Sequence, residues 1–206
     1  MKILGIDPGY DRVGIGIIEK NERNELKYIY STTISTNKKD TFVKRLLQIE
    51  LELSEIINIY KPNLIVIESL FFAKNVKTAM DVAQARGSIL LTCGKYLTPD
   101  YTKPTPGKPT LPNREGATQK YNPLLTSPRG GTNTIIELTP MQIKSSLVGD
   151  GHSTKDRVEY MVRQILKLTS PRPSPKEREP LKNKTLDDEI DALSIALAGE
   201  RHSHLH

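Results

Sequence analysis

Carboxylates stand at three places in this chain where chemistry could use them. Asp7 closes an apolar run, "KILGID", and Pro8-Gly9 follows at once. Glu68 closes a second run, "NLIVIE". Asp187, Asp188, Glu189 and Asp191 lie in "LDDEIDALSIAL" near the C-terminus. In a helix, Asp188 and Asp191 are three residues apart and share a face. Each group also has a plain structural use. Asp7 can cap a turn, Glu68 can be half of a strand-end ion pair, and acidic residues suit a helix N-terminus through its dipole. Those uses weaken jointly if the two runs are neighbouring strands, because Asp7 and Glu68 then project side by side. Like charges that close repel unless cations neutralise them. Oxygen-only ligands suit Mg²⁺ or Mn²⁺. Two such ions about 4 Å apart activate water and stabilise the leaving oxygen of a phosphodiester.

Other chemistries find little support. The chain has no GxxxxGK[ST] loop and no paired Cys/His set for zinc. Its histidines are His152 and three in the closing "HSHLH", which reads as a frayed tail. The single cysteine, Cys93, sits in an apolar helical stretch and reads as a small buried hydrophobe. One cysteine forms no internal disulfide, which fits a reducing cytosol. "MKILGID" is not a signal peptide, and no stretch of about 18 apolar residues suggests a membrane span. A net charge of +6 over 206 residues favours a polyanionic partner such as nucleic acid. Asp-x-Gly after a first strand also occurs in sugar-kinase and actin-like ATPases, but those need a second lobe that this length does not supply.

Strands at 2–7, 13–19 and 26–33, joined by short links, predict an antiparallel meander. Residues 40–60 carry Val43, Leu46, Leu47, Leu51, Leu53, Ile56 and Ile57, a broad helical stripe. "NLIVIE" at 63–68 suits a strand covered on both faces. A helix is expected over 75–96, a fifth strand over 134–138, and further helices over 153–168 and 185–199. Thr139-Pro140 predicts an N-cap with proline at the first helical position, opening a short helix that "GDG" at 149–151 ends. Residues 98–133 hold seven of the fourteen prolines, and 169–184 are similar in character. Both are expected to be mobile segments outside the core, the first an insertion and the second a linker. The expectation is one domain over 1–200 followed by a short tail, 201–206.

With these residues in hand, the chain resembles the RuvC family of bacterial Holliday-junction resolvases. The resemblance rests on four blocks in order: "ILGIDPGYDRVGIGII", "IVIESLFFAKNVKTAMDVAQARG", "ELTPMQIKSSLVGDGHSTKDRVEYMVRQILKL" and "DDEIDALSIAL". It implies an α/β RNase H-like fold, a five-stranded mixed sheet flanked by helices. It implies Asp7, Glu68, Asp188 and Asp191 as metal ligands and catalytic residues, with two Mg²⁺ (or Mn²⁺) ions per site. Asp187 leaves a one-residue ambiguity that D-x-x-D-A-L spacing resolves toward Asp188. By position, Lys144 and Lys155 would contact junction phosphates, Lys155 also serving the chemistry. Phe71 would stack on exposed bases, and Arg86 would contact DNA, although helix packing suits it equally. The implied partners are four-way junction DNA, a second copy of the chain and a branch-migration helicase complex, in the cytoplasm. Two other readings stay open: a related nuclease acting on structured RNA, and a junction-binding protein without cleavage. The extended links depart from the family pattern without removing a motif residue.

Overall fold

The computed structural model describes residues 1–69, 76–97, 134–168 and 184–203. The expectations for Phe71, for residues 98–133 and for residues 169–183 fall outside them. Five strands form one sheet: β1 (Lys2–Asp7), β2 (Arg12–Lys20), β3 (Leu26–Ser35), β4 (Leu64–Glu68) and β5 (Thr134–Leu138), in the order β3-β2-β1-β4-β5. β1, β2 and β3 form the expected antiparallel meander, and β4 and β5 add parallel to β1. Helices α1 (Phe42–Tyr60) and α2 (Val76–Leu97) cover one face. Helices α3 (Pro140–Val148), α4 (Lys155–Ile165) and α5 (Lys184–His202) cover the other.

The period of two decides which side chains go where. On β1 and β4, Leu4, Ile6, Ile65 and Ile67 enter the core under α1 and α2. Ile3, Leu64 and Val66 enter the core under α5. Asp7 and Glu68, continuing the latter series, point to the α5 side. β1 pairs Ile3 with Leu64 and Ile6 with Ile67, so the same register sets Asp7 beside Glu68.

Three expectations need correction. The α1 stripe is not one buried face: Ile49, Leu53, Ile56 and Ile57 are buried, but Val43, Leu47 and Leu51 are exposed. Those three recur every four residues, on a different side of the cylinder from the core-facing set. The fourth helix runs Lys155–Ile165, shorter than 153–168. α5 continues to His202, taking two residues expected in the tail. Thr139 caps α3 as expected, in a full capping box with Gln142 and with Pro140 opening the helix.

Candidate active site

α5 lies across β1 and β2 at a distance only glycine permits. A Cβ on Gly14 would stand 2.3 Å from the Asp188 carbonyl oxygen, and one on Gly16 would stand 2.6 Å from the Leu193 nitrogen. Without side chains at these points, the helix backbone rests on the sheet and delivers Asp188 beside Asp7, whose own partner across β2 is Gly14. Ser31 of β3 donates to Glu189 at 2.6 Å, and Lys20 of β2 pairs with Glu200 at 2.7 Å. α5 is thus tied to the meander near both ends.

Asp7 is the electrostatic centre of the group. Burial pushes its carboxyl up to about 8, and Glu68, Asp191 and Asp188 add repulsion in the same direction. Burial also raises Glu68, which shares a hydrogen bond with Asp7. At neutral pH the two strand carboxyls therefore hold one proton between them. The helix carboxylates have cations instead. Lys155 Nζ donates to Asp191 Oδ2 at 2.7 Å, and Arg12 Nε lies 3.0 Å from Asp188 Oδ2. Burial opposes the charge on Lys155, but the bond to Asp191 together with the charges of Asp191, Asp187 and Asp188 outweighs it and its pKa is raised. Burial raises Asp188 despite the opposing pull of Arg12.

Glu68, Lys144, Lys155 and Asp191 line one cleft of about 230 Å³ between α3, α4 and α5. The cleft joins carboxylate oxygens to lysine ammonium groups, the combination needed to approach a phosphodiester: anions to hold cations, and cations to hold phosphate oxygens.

The family's sequence model, crossover junction endodeoxyribonuclease RuvC, matches residues 3–99 and 129–198. The chain belongs to the RuvC family. The RuvC of Thermosipho melanesiensis is 36% identical over 197 residues, covering 95% of this chain and 94% of the relative. That of Carboxydothermus hydrogenoformans is 35% identical over 200 residues, covering 97% and 95%. The solved Thermus thermophilus RuvC superposes with a TM-score of 0.67 at 24% identity, covering 100% of this chain and 96% of that one. Its complex with a Holliday junction substrate gives the same TM-score at 21% identity. The fold is RNase H-like, as the four sequence blocks imply.

Against the RuvC pattern, the residues fall as follows. Asp7, Glu68, Asp188 and Asp191 come together as electrostatic neighbours. Asp188 is among the groups that act on Asp7, which favours it over Asp187. Among the described residues, no three Asp, Glu, His or Cys side chains are arranged as they stand to hold one ion. Two of the four carboxylates, Asp188 and Asp191, stand in ion pairs with Arg12 and Lys155. Lys144 and Lys155 reach the cleft. Arg86, expected among DNA contacts, is ion-paired with Glu137 of β5 and braces α2 against that strand. Cys93 is buried, with burial pushing its thiol up to about 12, as an inert core residue requires.

Sequence reasoning passed over Arg12 and Arg45. Buried Arg45 donates to Thr36 Oγ1 at 2.8 Å and to the Tyr10 carbonyl at 3.2 Å, pairs with Asp11, and stacks 3.5 Å over the Tyr10 ring. It clamps the β1–β2 turn that follows Asp7. An arginine inside an amphipathic helix gives no sign of this, because its partners lie 9 to 35 residues away. For Arg12 the signal was available: it is even-numbered like Gly14 and Gly16, hence on the α5 side.

Proposed function

We propose that Asp7, Glu68, Asp188 and Asp191 bind Mg²⁺, or Mn²⁺ in its place, as two ions per site, and that this centre cuts the strands of a four-way DNA junction. The observation that carries the reading is that Asp7 feels the charges of Glu68, Asp188 and Asp191, carboxylates from two strands and one helix, and that Glu68 and Asp191 line a cleft with Lys144 and Lys155. The donor set fits the cation: it is all oxygen, and Asp188 Oδ2 is buried without a hydrogen bond. Bound there, the ions supply an activated water and neutralise charge on the leaving oxygen. The chain's own residues do the rest. Asp7 and Glu68 give up their shared proton, Asp191 exchanges its lysine, and Lys155 and Lys144 take phosphate oxygens, fixing the strand and offsetting charge that builds during cleavage. Phe71 serves as the stacking residue in this reading.

Resolution requires symmetric cuts in two strands, so the working unit is a homodimer with two sites. Its support is the exposed apolar surface of α1 and α2: Val43, Leu47 and Leu51 on one helix, Met80 and Leu91 on the other. Among the described residues no helix is long and apolar enough to cross a membrane, and we place the enzyme in the cytoplasm with its DNA. A branch-migration helicase complex is the further partner.

The test is a mobile four-way junction incubated with the protein in Mg²⁺ or in EDTA. Paired cuts in opposing strands, in Mg²⁺ only, are expected. Binding without cuts in saturating Mg²⁺, or preferential cutting of an RNA junction, overturns the reading. Sedimentation should give a dimer, and Leu47→Glu with Leu91→Glu a monomer.

A further inference from the structure

Arg12 has no role in the chemistry above. It opens β2 two residues before Gly14, on the side of the sheet that α5 covers. Its Nε lies 3.0 Å from Asp188 Oδ2, yet that buried oxygen accepts no hydrogen bond. An arginine fixed for structure typically grips a carboxylate with a two-pronged fork of aligned N–H bonds. Here a charge rests beside a charge without a directed bond. The arginine side chain is 35% exposed. Together with Tyr10, Asp81 and Asp188 it lines a second cleft, of about 270 Å³, which shares no lining residue with the cleft of Lys144 and Lys155. The guanidinium therefore borders open space away from Lys144 and Lys155.

The situation at Asp191 is parallel. Asp188 and Asp191 each form an ion pair, with Arg12 from the sheet and Lys155 from α4 respectively. An ion bound at Asp188 would face the guanidinium at a few ångströms, a like-charge repulsion that weakens its binding. Either the arginine leaves or the ion binds less well.

We propose that Arg12 is a positioning residue that stands in for a metal ion, holding the Asp188 charge against the sheet while the site is empty and withdrawing into its own cleft when a divalent cation takes the carboxylate. The proposal rests on the metal reading of the four carboxylates. It makes Arg12 a competitor of the metal and a support of the metal-free fold.

Mn²⁺ alone, titrated into the DNA-free full chain and followed by the paramagnetic resonance of the free ion, tests it. Arg12→Gln should bind Mn²⁺ more tightly, by roughly two- to five-fold, the weight of a partly exposed ion pair. Arg12→Met, which keeps the apolar stem, should behave the same way. Arg12→Lys, which keeps the charge, should stay close to wild type. In EDTA, Arg12→Gln should melt below wild type and Arg12→Lys between the two. Unchanged or weaker Mn²⁺ binding by both uncharged variants overturns the stand-in while leaving the metal reading intact. Failure of the wild type to bind Mn²⁺, or an Asp188→Asn variant that binds it equally well, overturns the metal reading at this residue and the stand-in with it.

Discussion

Asp7 and Glu68 hang from neighbouring strands in the middle of the sheet, whereas Asp188 and Asp191 come from one helix laid across it. The strand pair is deeper, and its charge is lowered by a shared proton. The helix pair is met by an arginine and a lysine on two separate clefts. The difference follows from access. Asp7 and Glu68 stand side by side beneath a helix, so burial and mutual repulsion retain a proton even though Lys144 and Lys155 act on Glu68. The first turns of a helix at the sheet edge are open enough for Arg12 and Lys155 to reach. A buried carboxyl pair is preorganised but must lose a proton to bind a cation, and a cation-paired carboxylate must lose its partner.

The sharpest way to break this contrast is to neutralise one member of each pair. Asp7→Asn and Asp188→Asn should both abolish junction cutting, by more than the about 10²–10³-fold cost of one lost electrostatic group, while both keep junction binding through phosphate contacts. Their metal-free stabilities should diverge. At pH 8 in EDTA, Asp7→Asn should melt above wild type, because a desolvated, repelled charge is gone. Asp188→Asn should stay within about 0.5 kcal/mol of wild type, as a partly exposed site allows. Equal shifts in melting would mean that the pairs are not distinct.

Lys155→Ala tests the helix pair from the cation side. The cleavage rate should fall by about 10²-fold, and the salt slope of junction binding should drop by about 1. An unchanged rate and slope in gel-shift and cleavage assays would return Lys155 to a surface role.

Gly14→Ala tests what holds the two pairs together. Its methyl would meet the Asp188 carbonyl at 2.3 Å and the Asp7 Cβ at 3.2 Å, so α5 must lift. A loss of about 1–3 kcal/mol in denaturant unfolding is expected, with weakened Mn²⁺ binding. A variant as stable as wild type would show that helix and sheet are not in the contact described.

The last contrast is a pH dependence dominated by the strand pair. The unfolded Asp7 carboxyl titrates near 3.8 and the folded one near 8. Between those values the folded chain holds a proton that the unfolded chain has released, so metal-free stability falls as pH rises through this window and levels off above it. Melting in EDTA from pH 5 to pH 9 should show the decline, and Asp7→Asn should remove it. Mn²⁺ affinity should rise over the same window, as the metal displaces the proton.

Much of this was legible in the sequence because it is local. Apolar runs bounded by turn residues marked all five strands, Thr139-Pro140 gave the start of α3, and the spacing of Asp188 and Asp191 gave their common face. The burial of the α1 stripe was not legible, because helical periodicity marks apolar residues without saying which are covered. Val43, Leu47 and Leu51 fit a helix as well as Ile49 and Leu53 do.

The amino-acid sequence by itself determined the strands, the helices and the carboxylates at their ends, since period, capping and turn chemistry act over a few residues. Only the tertiary structure decided how those carboxylates are balanced. The proton shared by Asp7 and Glu68 depends on burial beneath α5, and the guanidinium at Asp188 depends on β2 and α5 meeting across glycine. Desolvation and Coulomb interaction act through space, between residues far apart in the chain, such as Arg12 and Asp188 or Asp7 and Asp191. No local pattern encodes them.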